Sequence, residues 1–293
     1  MSGKRYYRPG NVQQCLDFLA ENGRDSVLLA GGTDVMVDLR AGEIDRSWIV
    51  DLSRLPELRG IELQNGKLWI GAAVTLTELL DAGLVREQAA ALHKAALKFA
   101  ARQIRNVATI GGNVAHCSPS ADTLPPLLVH EAEAVLAGPY GRRRIPVGEV
   151  AAGTYRSVLT PEEVILGFAL RPRTAELADF QKIGRRKELV IARVNMAALA
   201  DVNEHNRLGE VRFALGSCTP VAQRFEEIEA LLEGNVPTRE LFWEAGALCA
   251  QTMIRITGRR PSAVYKEKAV QGLVYRMFSQ MMRSEEPEHL PTD

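Results

Sequence analysis

The chain has 293 residues, of which 46% are apolar and 25% are charged, a composition typical of a globular protein with one to three domains. Its 36 basic and 36 acidic side chains leave no formal net charge, which disfavours a nucleic-acid-binding protein. The chain has no run of the ~18–20 apolar residues that span a membrane, and its N-terminus lacks a signal-peptide apolar segment, so we expect no membrane span and a cytoplasmic protein.

The four cysteines are widely scattered at positions 15, 117, 218 and 249. None has the C-x₂-C spacing of zinc or iron–sulfur ligands, and the spacing does not indicate a disulfide framework. We therefore expect no metal bound by this chain. Cys15 and Cys249 fall on apolar faces of predicted helices and are expected to be core thiols.

The N-terminal region predicts a helix, a strand and a glycine turn. Asn11 can cap a helix that stops at Gly23, and a short apolar strand over Ser26–Ala30 follows. This strand runs directly into Gly31-Gly32-Thr33-Asp34 and a helical segment near Val35–Arg40. A strand, a glycine turn and a helix start point free backbone N–H groups at a phosphate. A plain turn, with Asp34 capping the helix, remains an alternative.

The next region predicts a strand at Ser47–Leu52, then a hairpin and helices. Asn65-Gly66 lies between two short apolar segments, a strong signal for a two-residue hairpin turn. The sequence from Thr75 to Glu78 has the pattern of a capping box at a helix start. The Ala-rich stretch Arg86–Arg102 has apolar residues at helical spacing and predicts one long amphipathic helix.

A second glycine loop follows at Thr109–Asp122, with the sequence T-I-G-G-N-V-A-H-C-S-P-S-A-D. It contains almost no long apolar side chains, but it can bring backbone N–H groups and short polar side chains close to a ligand. We predict that this loop and Ala30–Asp34 bind the same anion. Neither loop contains Lys or Arg, and the chain has no Walker motif. The candidate donors are short: Thr33, Thr109, Asn113, Ser118 and Ser120. Asp122 could accept from a sugar hydroxyl.

The rest of the chain mixes hairpins, strands and helices. A helix is predicted over Thr123–Glu131, and a boundary is predicted near Pro172. The predicted later elements are a hairpin at Ala132–Ala137 and Arg142–Ile145, strands at Glu163–Leu170, Phe180–Lys187, Val194–Val202 and Glu210–Gly216, and helices at Arg224–Leu232, Arg239–Ile256 and Ser262–Met282. Without a regular βαβ series or a G-x-G-x-x-G motif, this order indicates an α+β fold rather than a Rossmann sheet.

Other catalytic interpretations have little support. The chain has no G-x-S-x-G nucleophile elbow and no H-E-x-x-H zinc helix. His116 lies near Ser118 and Ser120, but such a pair on one loop is weak evidence for a triad. Cys117 could be a reactive thiol, although a small apolar residue lining the loop is the favoured interpretation.

Four motifs, in order along the chain, carry a resemblance to a known family. They are L-L-A-G-G-T-D-V at Leu28–Val35, I-G-A-A-V-T-L-T-E-L at Ile70–Leu79, Q-I-R-N-V-A-T-I-G-G-N at Gln103–Asn113 and S-P-S-A-D at Ser118–Asp122. Together they resemble the FAD-binding medium subunit of the molybdenum hydroxylases, the xanthine dehydrogenase family. The resemblance implies a two-subdomain FAD-binding fold of the vanillyl-alcohol-oxidase (PCMH) type over residues 1–57 and 58–173, followed by an α/β C-terminal domain over 174–293.

The resemblance also implies FAD as the cofactor of this chain and names its contacts. The residues that would cradle the pyrophosphate are Val27, Leu28, Leu29, Ala30, Gly31, Gly32, Thr33, Asp34, Ala108, Thr109, Ile110, Gly111, Gly112 and Asn113. Those that would contact the sugar chain or the flavin are Ser118, Asp122, Val74, Thr75, Ile165, Leu166 and Lys182. A surface charge at a strand end is the alternative for Lys182.

By the same resemblance, the chain transfers electrons and has no catalytic residue of its own. Substrate would be oxidised at a molybdopterin on a large partner subunit, and electrons would pass through [2Fe–2S] clusters on a small one to FAD. The reduced flavin would pass them to NAD⁺, with oxygen or a quinone as the alternative acceptor. The implied assembly is a dimer of heterotrimers. Two alternatives stay open: a stand-alone flavoprotein reductase of the same fold, and a structural subunit without FAD.

Overall fold

The computed structural model describes residues 3–174, 177–184 and 191–283. The α-helices of these ranges are α1 Val12–Asn22, α2 Val35–Ala41, α3 Leu76–Asp81, α4 Gly83–Gln88, α5 Ala90–Lys98, α6 Arg102–Arg105, α7 Ile110–Ala115, α8 Leu124–Val129, α9 Glu226–Leu232, α10 Arg239–Thr257 and α11 Ala263–Arg283. The strands are β1 Arg5–Tyr7, β2 Ser26–Leu29, β3 Trp48–Asp51, β4 Ile61–Gln64, β5 Lys67–Gly71, β6 Glu133–Gly138, β7 Gly141–Pro146, β8 Ala151–Gly153, β9 Arg156–Ser157, β10 Val164–Leu170, β11 Leu177–Ile183, β12 Val194–Val202, β13 Leu208–Gly216 and β14 Gln223–Arg224. The predicted α+β class is confirmed.

The first sheet is small and parallel, with the strand order β1-β3-β2. Helix α1 contributes Cys15 and Leu19 to an apolar cluster that includes Val50 of β3. The predicted cap is confirmed, because the Asn11 side chain accepts a hydrogen bond of 2.8 Å from the backbone N–H of Gln14. Strand β2 ends at Leu29, so the chain leaves this sheet immediately before the first glycine turn.

The second sheet is antiparallel, with the order β4-β5-β10-β6-β7. Asn65 and Gly66 have φ values of +50° and +73°, which gives the predicted two-residue turn between β4 and β5 its type I′ character. The capping box is also confirmed. Thr75 Oγ1 accepts from the Glu78 N–H at 3.2 Å, and the Thr75 N–H donates to Glu78 Oε2 at 2.6 Å. Local sequence signals therefore fix both features.

The single long helix predicted over Arg86–Arg102 is wrong. Helix α4 ends at Gln88, and Ala89 has φ −145° and ψ 53°, which is not helical. The carbonyl of Gln88 accepts from the Arg173 N–H at 2.9 Å, and Ala89 forms a bridge with the same residue. A contact more than eighty residues away along the chain thus breaks the helix, and no local pattern reveals it.

The third sheet has the order β11-β12-β13-β14 and is antiparallel. Its central strand β12 has the predicted limits and is buried on both faces. On one face Met196 and Ala198 join an apolar cluster with helices α9, α10 and α11, and on the other Ala197 and Leu199 pack with α5 and α8. The sheet therefore lies between its own helices and helices from the preceding half of the chain.

The predicted strand over Phe180–Lys187 is only partly within the described residues. Strand β11 covers its first part and ends at Ile183, while residues 185–187 lie outside the described ranges. The boundary at Pro172 stays a prediction. Among the helices of the described ranges, including α11 with 21 residues, none is long and apolar enough to cross a membrane.

His130 is a buried histidine at the C-terminal end of α8. It is only 1% exposed, and neither ring nitrogen has a hydrogen-bond partner among the described residues. Burial, with a smaller contribution from the nearby Arg173 charge, lowers its pKa to about 4. The imidazole is therefore neutral in the folded protein over a range in which an unfolded chain would protonate it.

This difference predicts a pH-dependent stability. Because the pKa of His130 is lower in the folded state, only the unfolded state gains the proton as the pH falls from about 6.5 to about 4, and folding stability falls with it. The full loss is on the order of 3 kcal/mol. Chemical denaturation between pH 7 and about 5.5 measures the onset of this loss, above the range in which the lowered pKa values of the Asp51 and Glu163 carboxylates begin to affect stability.

The variant His130→Leu should lose this decrease in folding stability with falling pH. The variant His205→Gln, at an exposed position, should keep the decrease. Equal slopes in the wild type and His130→Leu would contradict the assignment.

Candidate functional site

The two glycine loops line a single cavity of about 320 Å³. One part of its wall is apolar and includes Leu28, Leu52, Leu58, Phe99 and Ile165. The rest includes Ala30–Val35 of the first loop and Ala108, Thr109, Gly111, Gly112, Asn113, Ala115 and His116 at the second. The wall therefore combines apolar side chains with the backbone and short polar side chains of the two loops, and the cavity volume lies in the range of ~300–1,000 Å³ typical of small-molecule sites.

Gly31 is the point at which the two loops touch. A Cβ atom on Gly31 would lie 2.0 Å from the carbonyl oxygen of Val107 and 2.9 Å from Ala108 Cα. Such distances are far inside van der Waals contact, and the obstacle is backbone. Only glycine at this position lets the backbone of the first loop lie against that of the second.

The two loops differ in the backbone donors that they offer. Among the described residues, the N–H groups of Gly31, Gly32, Thr33 and Asp34 donate to no protein acceptor. Gly32 has φ +71°, in the left-handed region that favours glycine, and the chain turns at this residue. The cavity wall thus includes a short run of residues of the first loop whose amides are free.

In the second loop, the amides of the glycine turn already donate to acceptors within the protein. The N–H groups of Ile110 and Gly111 donate to the Val74 and Ala72 carbonyls at 3.0 Å and 2.9 Å, and the Gly112 N–H donates to Thr109 Oγ1 at 3.1 Å. A Cβ on Gly111 would lie 2.6 Å from Ala72 O. The second glycine pair therefore serves close packing, and its loop contributes side chains such as Asn113 to the cavity.

Asp34 stands at the end of the free amide run. It occupies the N-cap position of α2, but its side chain accepts no capping hydrogen bond there. Its carboxylate instead accepts from Thr33 Oγ1 at 3.3 Å and lies 3.8 Å from His116 Nε2. The capping role considered from the sequence is therefore wrong, and the carboxylate belongs to the cavity wall.

Twelve of the predicted cofactor contacts line the cavity: Leu28, Ala30, Gly31, Gly32, Thr33, Asp34, Ala108, Thr109, Gly111, Gly112, Asn113 and Ile165. The others lie outside its wall: Val27, Leu29, Val74, Thr75, Ile110, Ser118, Asp122, Leu166 and Lys182. Among these, Thr75 caps α3, and Leu166 belongs to the apolar cluster of α1.

Asp122 and Lys182 form a buried ion pair. Lys182 Nζ donates to Asp122 Oδ2 at 2.7 Å, and Asn195 Nδ2 donates to Oδ1 at 3.0 Å. The two charged side chains are only 8% and 11% exposed. Burial raises the pKa of Asp122, and the Lys182 charge and the hydrogen bonds oppose this effect. The pair joins the loop after α7 to the third sheet.

The sequence reasoning missed several cavity residues. Ala72 and Ala73 stand in the Ile70–Leu79 motif but were not singled out, and the lining also includes Ile44, Leu52, Leu58, Phe99, Ala115, His116 and Leu159. Phe99 follows the end of α5, where nothing in the local pattern marks a ligand site. These side chains reach the cavity through the packing of distant segments.

Cys117 is buried and lies beside the cavity wall without lining it. It has φ +52°, and its Sγ faces the carbonyl oxygens of Val114 and Ala115 at 3.5 Å and 3.4 Å. Burial raises the pKa of the thiol, so the uncharged form is favoured. Of the two interpretations from the sequence, the small buried residue is the one that fits. Within the described ranges, no three His, Cys, Asp or Glu side chains are grouped to hold a metal ion.

Comparison with known proteins assigns the chain to a family. Residues 2–171 match the model of the FAD binding domain in molybdopterin dehydrogenase, and residues 179–281 match the CO dehydrogenase flavoprotein C-terminal domain. The putative xanthine dehydrogenase FAD-binding subunit of Escherichia coli K12 is 33% identical over 246 residues, covering 82% of this chain and 84% of the relative. The carbon monoxide dehydrogenase medium chain of Hydrogenophaga pseudoflava is 31% identical, covering 80% of this chain and 82% of the relative.

The fold agrees with the sequence comparison. A structure of carbon monoxide dehydrogenase from Hydrogenophaga pseudoflava contains a chain that superposes with a TM-score of 0.88, at 29% identity, over 96% of this chain and 97% of that chain. The first family model alone covers more than half of the sequence. The chain therefore belongs to the family of FAD-binding subunits found in molybdopterin dehydrogenases such as xanthine and carbon monoxide dehydrogenase.

Proposed function

We propose that this chain binds FAD in the cavity between its two glycine loops. The observation that carries the proposal is the contact at Gly31, where the free amides of Gly31–Asp34 belong to the wall of a cavity that is also lined by apolar side chains. Backbone N–H groups suit a pyrophosphate, and the apolar wall suits a planar ring system. The names of the relatives, which are FAD-binding and medium subunits, support the same ligand.

Different residues of the chain would bind different parts of FAD. The first loop would donate its amides to the pyrophosphate, Thr109 and Asn113 would offer side-chain groups, and Ile165 would pack against the ring. We retain Val74, Thr75, Ser118, Asp122 and Lys182 as predicted contacts of the sugar chain or the flavin. For Asp122 and Lys182 this proposal requires that their ion pair loosens, because each now binds the other.

We further propose that the chain transfers electrons within a molybdenum hydroxylase. Flavin supplies the ability to accept single electrons and to release two together, which suits a position between [2Fe–2S] clusters and NAD⁺. The clusters would belong to a small partner subunit and the molybdopterin to a large one, in a cytoplasmic dimer of heterotrimers. The part of this chain is to hold and shield the cofactor.

The Gly31 contact predicts a specific loss of FAD. In Gly31→Ala the new Cβ would overlap Val107 O, so the loops must separate and the amides lose their position. We expect the purified variant to retain at least about tenfold less FAD, the equivalent of ~1.4 kcal/mol of binding. The matched control is Gly83→Ala at the start of α4, where the nearest atom to the new Cβ is Glu87 Oε1 at 4.0 Å.

Flavin content measured by absorbance after denaturation, together with the melting temperature, separates binding from folding. A folded Gly31→Ala protein with a full complement of FAD would contradict the loop assignment.

The electron-transfer role is tested by the visible spectrum of the purified chain, alone and assembled with its partner subunits. We expect a flavin spectrum that is bleached by xanthine or by carbon monoxide only in the assembled complex, with NADH formed when NAD⁺ is added. Bleaching of the isolated chain would instead favour the stand-alone reductase. A colourless chain that binds no added FAD would contradict the proposal as a whole.

A further inference from the structure

The cavity wall contains few ionisable side chains. Among the described residues that line it, these are Asp34, Asp38 and His116, and there is no Lys or Arg. A pyrophosphate would therefore enter a wall with two carboxylates and one imidazole. Since like charges repel strongly outside bulk water, the carboxylate nearest to the free amides sets the main obstacle to an anion.

Asp34 is that carboxylate. It follows the three free amides of Gly31–Thr33 and contributes a fourth, so an anion bound to this run would meet the Asp34 side chain as well. His116 Nε2 lies 3.8 Å from Asp34 Oδ1, close enough for an ion pair when the imidazole is protonated. Among the described residues, no other basic side chain lies within ion-pair distance of Asp34.

His116 is held in this position by its surroundings. It is the C-terminal cap residue of α7, and its ring packs edge-on against Tyr155 with 5.1 Å between ring centroids. The next residue, Cys117, is buried in the left-handed region and its carbonyl accepts from the Tyr155 N–H at 2.9 Å. The His116 side chain is therefore held in the cavity wall by its contact with Tyr155 and by the anchored residue that follows it.

We propose that His116, which lies beside Asp34, offsets the charge of that carboxylate and thereby admits the diphosphate of the cofactor to the amides of the first loop. The charged and titratable groups that face His116 are Asp34 before α2 and the Tyr155 phenol on the β8–β9 turn, while Asp38 lies further along the α2 wall. This inference rests on the proposed binding of FAD. It makes His116 a positioning residue that acts through Asp34.

A double-mutant cycle tests the coupling between the two side chains. Apoprotein of the full chain is titrated with FAD, and the dissociation constant is read from flavin fluorescence. The two side chains are 32% and 53% exposed, and exposed ion pairs have modest effects, so His116→Gln should weaken binding by about fivefold. Asp34→Asn should bind as tightly as the wild type or tighter, and the double variant should match Asp34→Asn.

Three controls separate charge from structure. His116→Lys keeps a cation and should bind within about threefold of the wild type. His93→Gln, at a histidine bonded to the Leu80 carbonyl away from the cavity, should change nothing. Riboflavin, which has no phosphate, should bind the wild type and His116→Gln equally.

The outcomes of this titration separate the role of His116 from the binding of FAD itself. A wild type that binds no FAD contradicts the proposed function itself. A wild type that binds FAD while His116→Gln binds it equally, or additive effects in the cycle, would overturn only the role of His116.

Discussion

The close contact between two backbones at Gly31 is the constraint on which the site depends. The carbonyl of Val107 occupies the space that a side chain at position 31 would need, so the first loop can reach the second only as glycine. This contact joins the end of the first sheet to the segment that follows α6. The cavity lies beside this contact, and neither loop alone would enclose it.

In the proposed FAD site, an anion would meet few side-chain charges. The described wall contains backbone amides and a histidine beside a carboxylate, without lysine or arginine. Amides fixed by the fold need little rearrangement to bind an anion, unlike a long flexible side chain. The buried pair of Asp122 and Lys182 supplies a second link, from the loop after α7 to the third sheet. The third sheet is therefore connected to the segment that follows the second glycine turn.

Much of the fold follows from local sequence signals. The turn at Asn65-Gly66, the caps at Asn11 and Thr75, and strand β12 were predicted because short-range chemistry determines them. The break at Ala89 was not, because Arg173 causes it from a distant segment. The apolar residues of the Arg86–Arg102 stretch keep their helical spacing across the break, so the sequence pattern does not reveal it.

The residues of the candidate site also fall into a predictable and an unpredictable group. The glycine-rich loops were recognisable from the sequence, and the motif resemblance implied the ligand. The hydrogen bonds that occupy the amides of Gly111 and Gly112, and the presence of Phe99 in the wall, depend on tertiary packing. The sequence therefore indicates which loops matter, whereas the structure distinguishes the loop whose amides are free from the loop whose amides are bonded within the protein.

That distinction is also the most direct test of the account. Hydrogen–deuterium exchange of the full chain, followed by mass spectrometry on peptides covering residues 31–34 and 110–113, compares the amides of the two loops with and without FAD. The account predicts that FAD slows exchange at Gly31–Asp34, while the amides of Ile110–Asn113 exchange slowly in both states because the protein already binds them. Unchanged exchange at Gly31–Asp34 on addition of saturating FAD would contradict it.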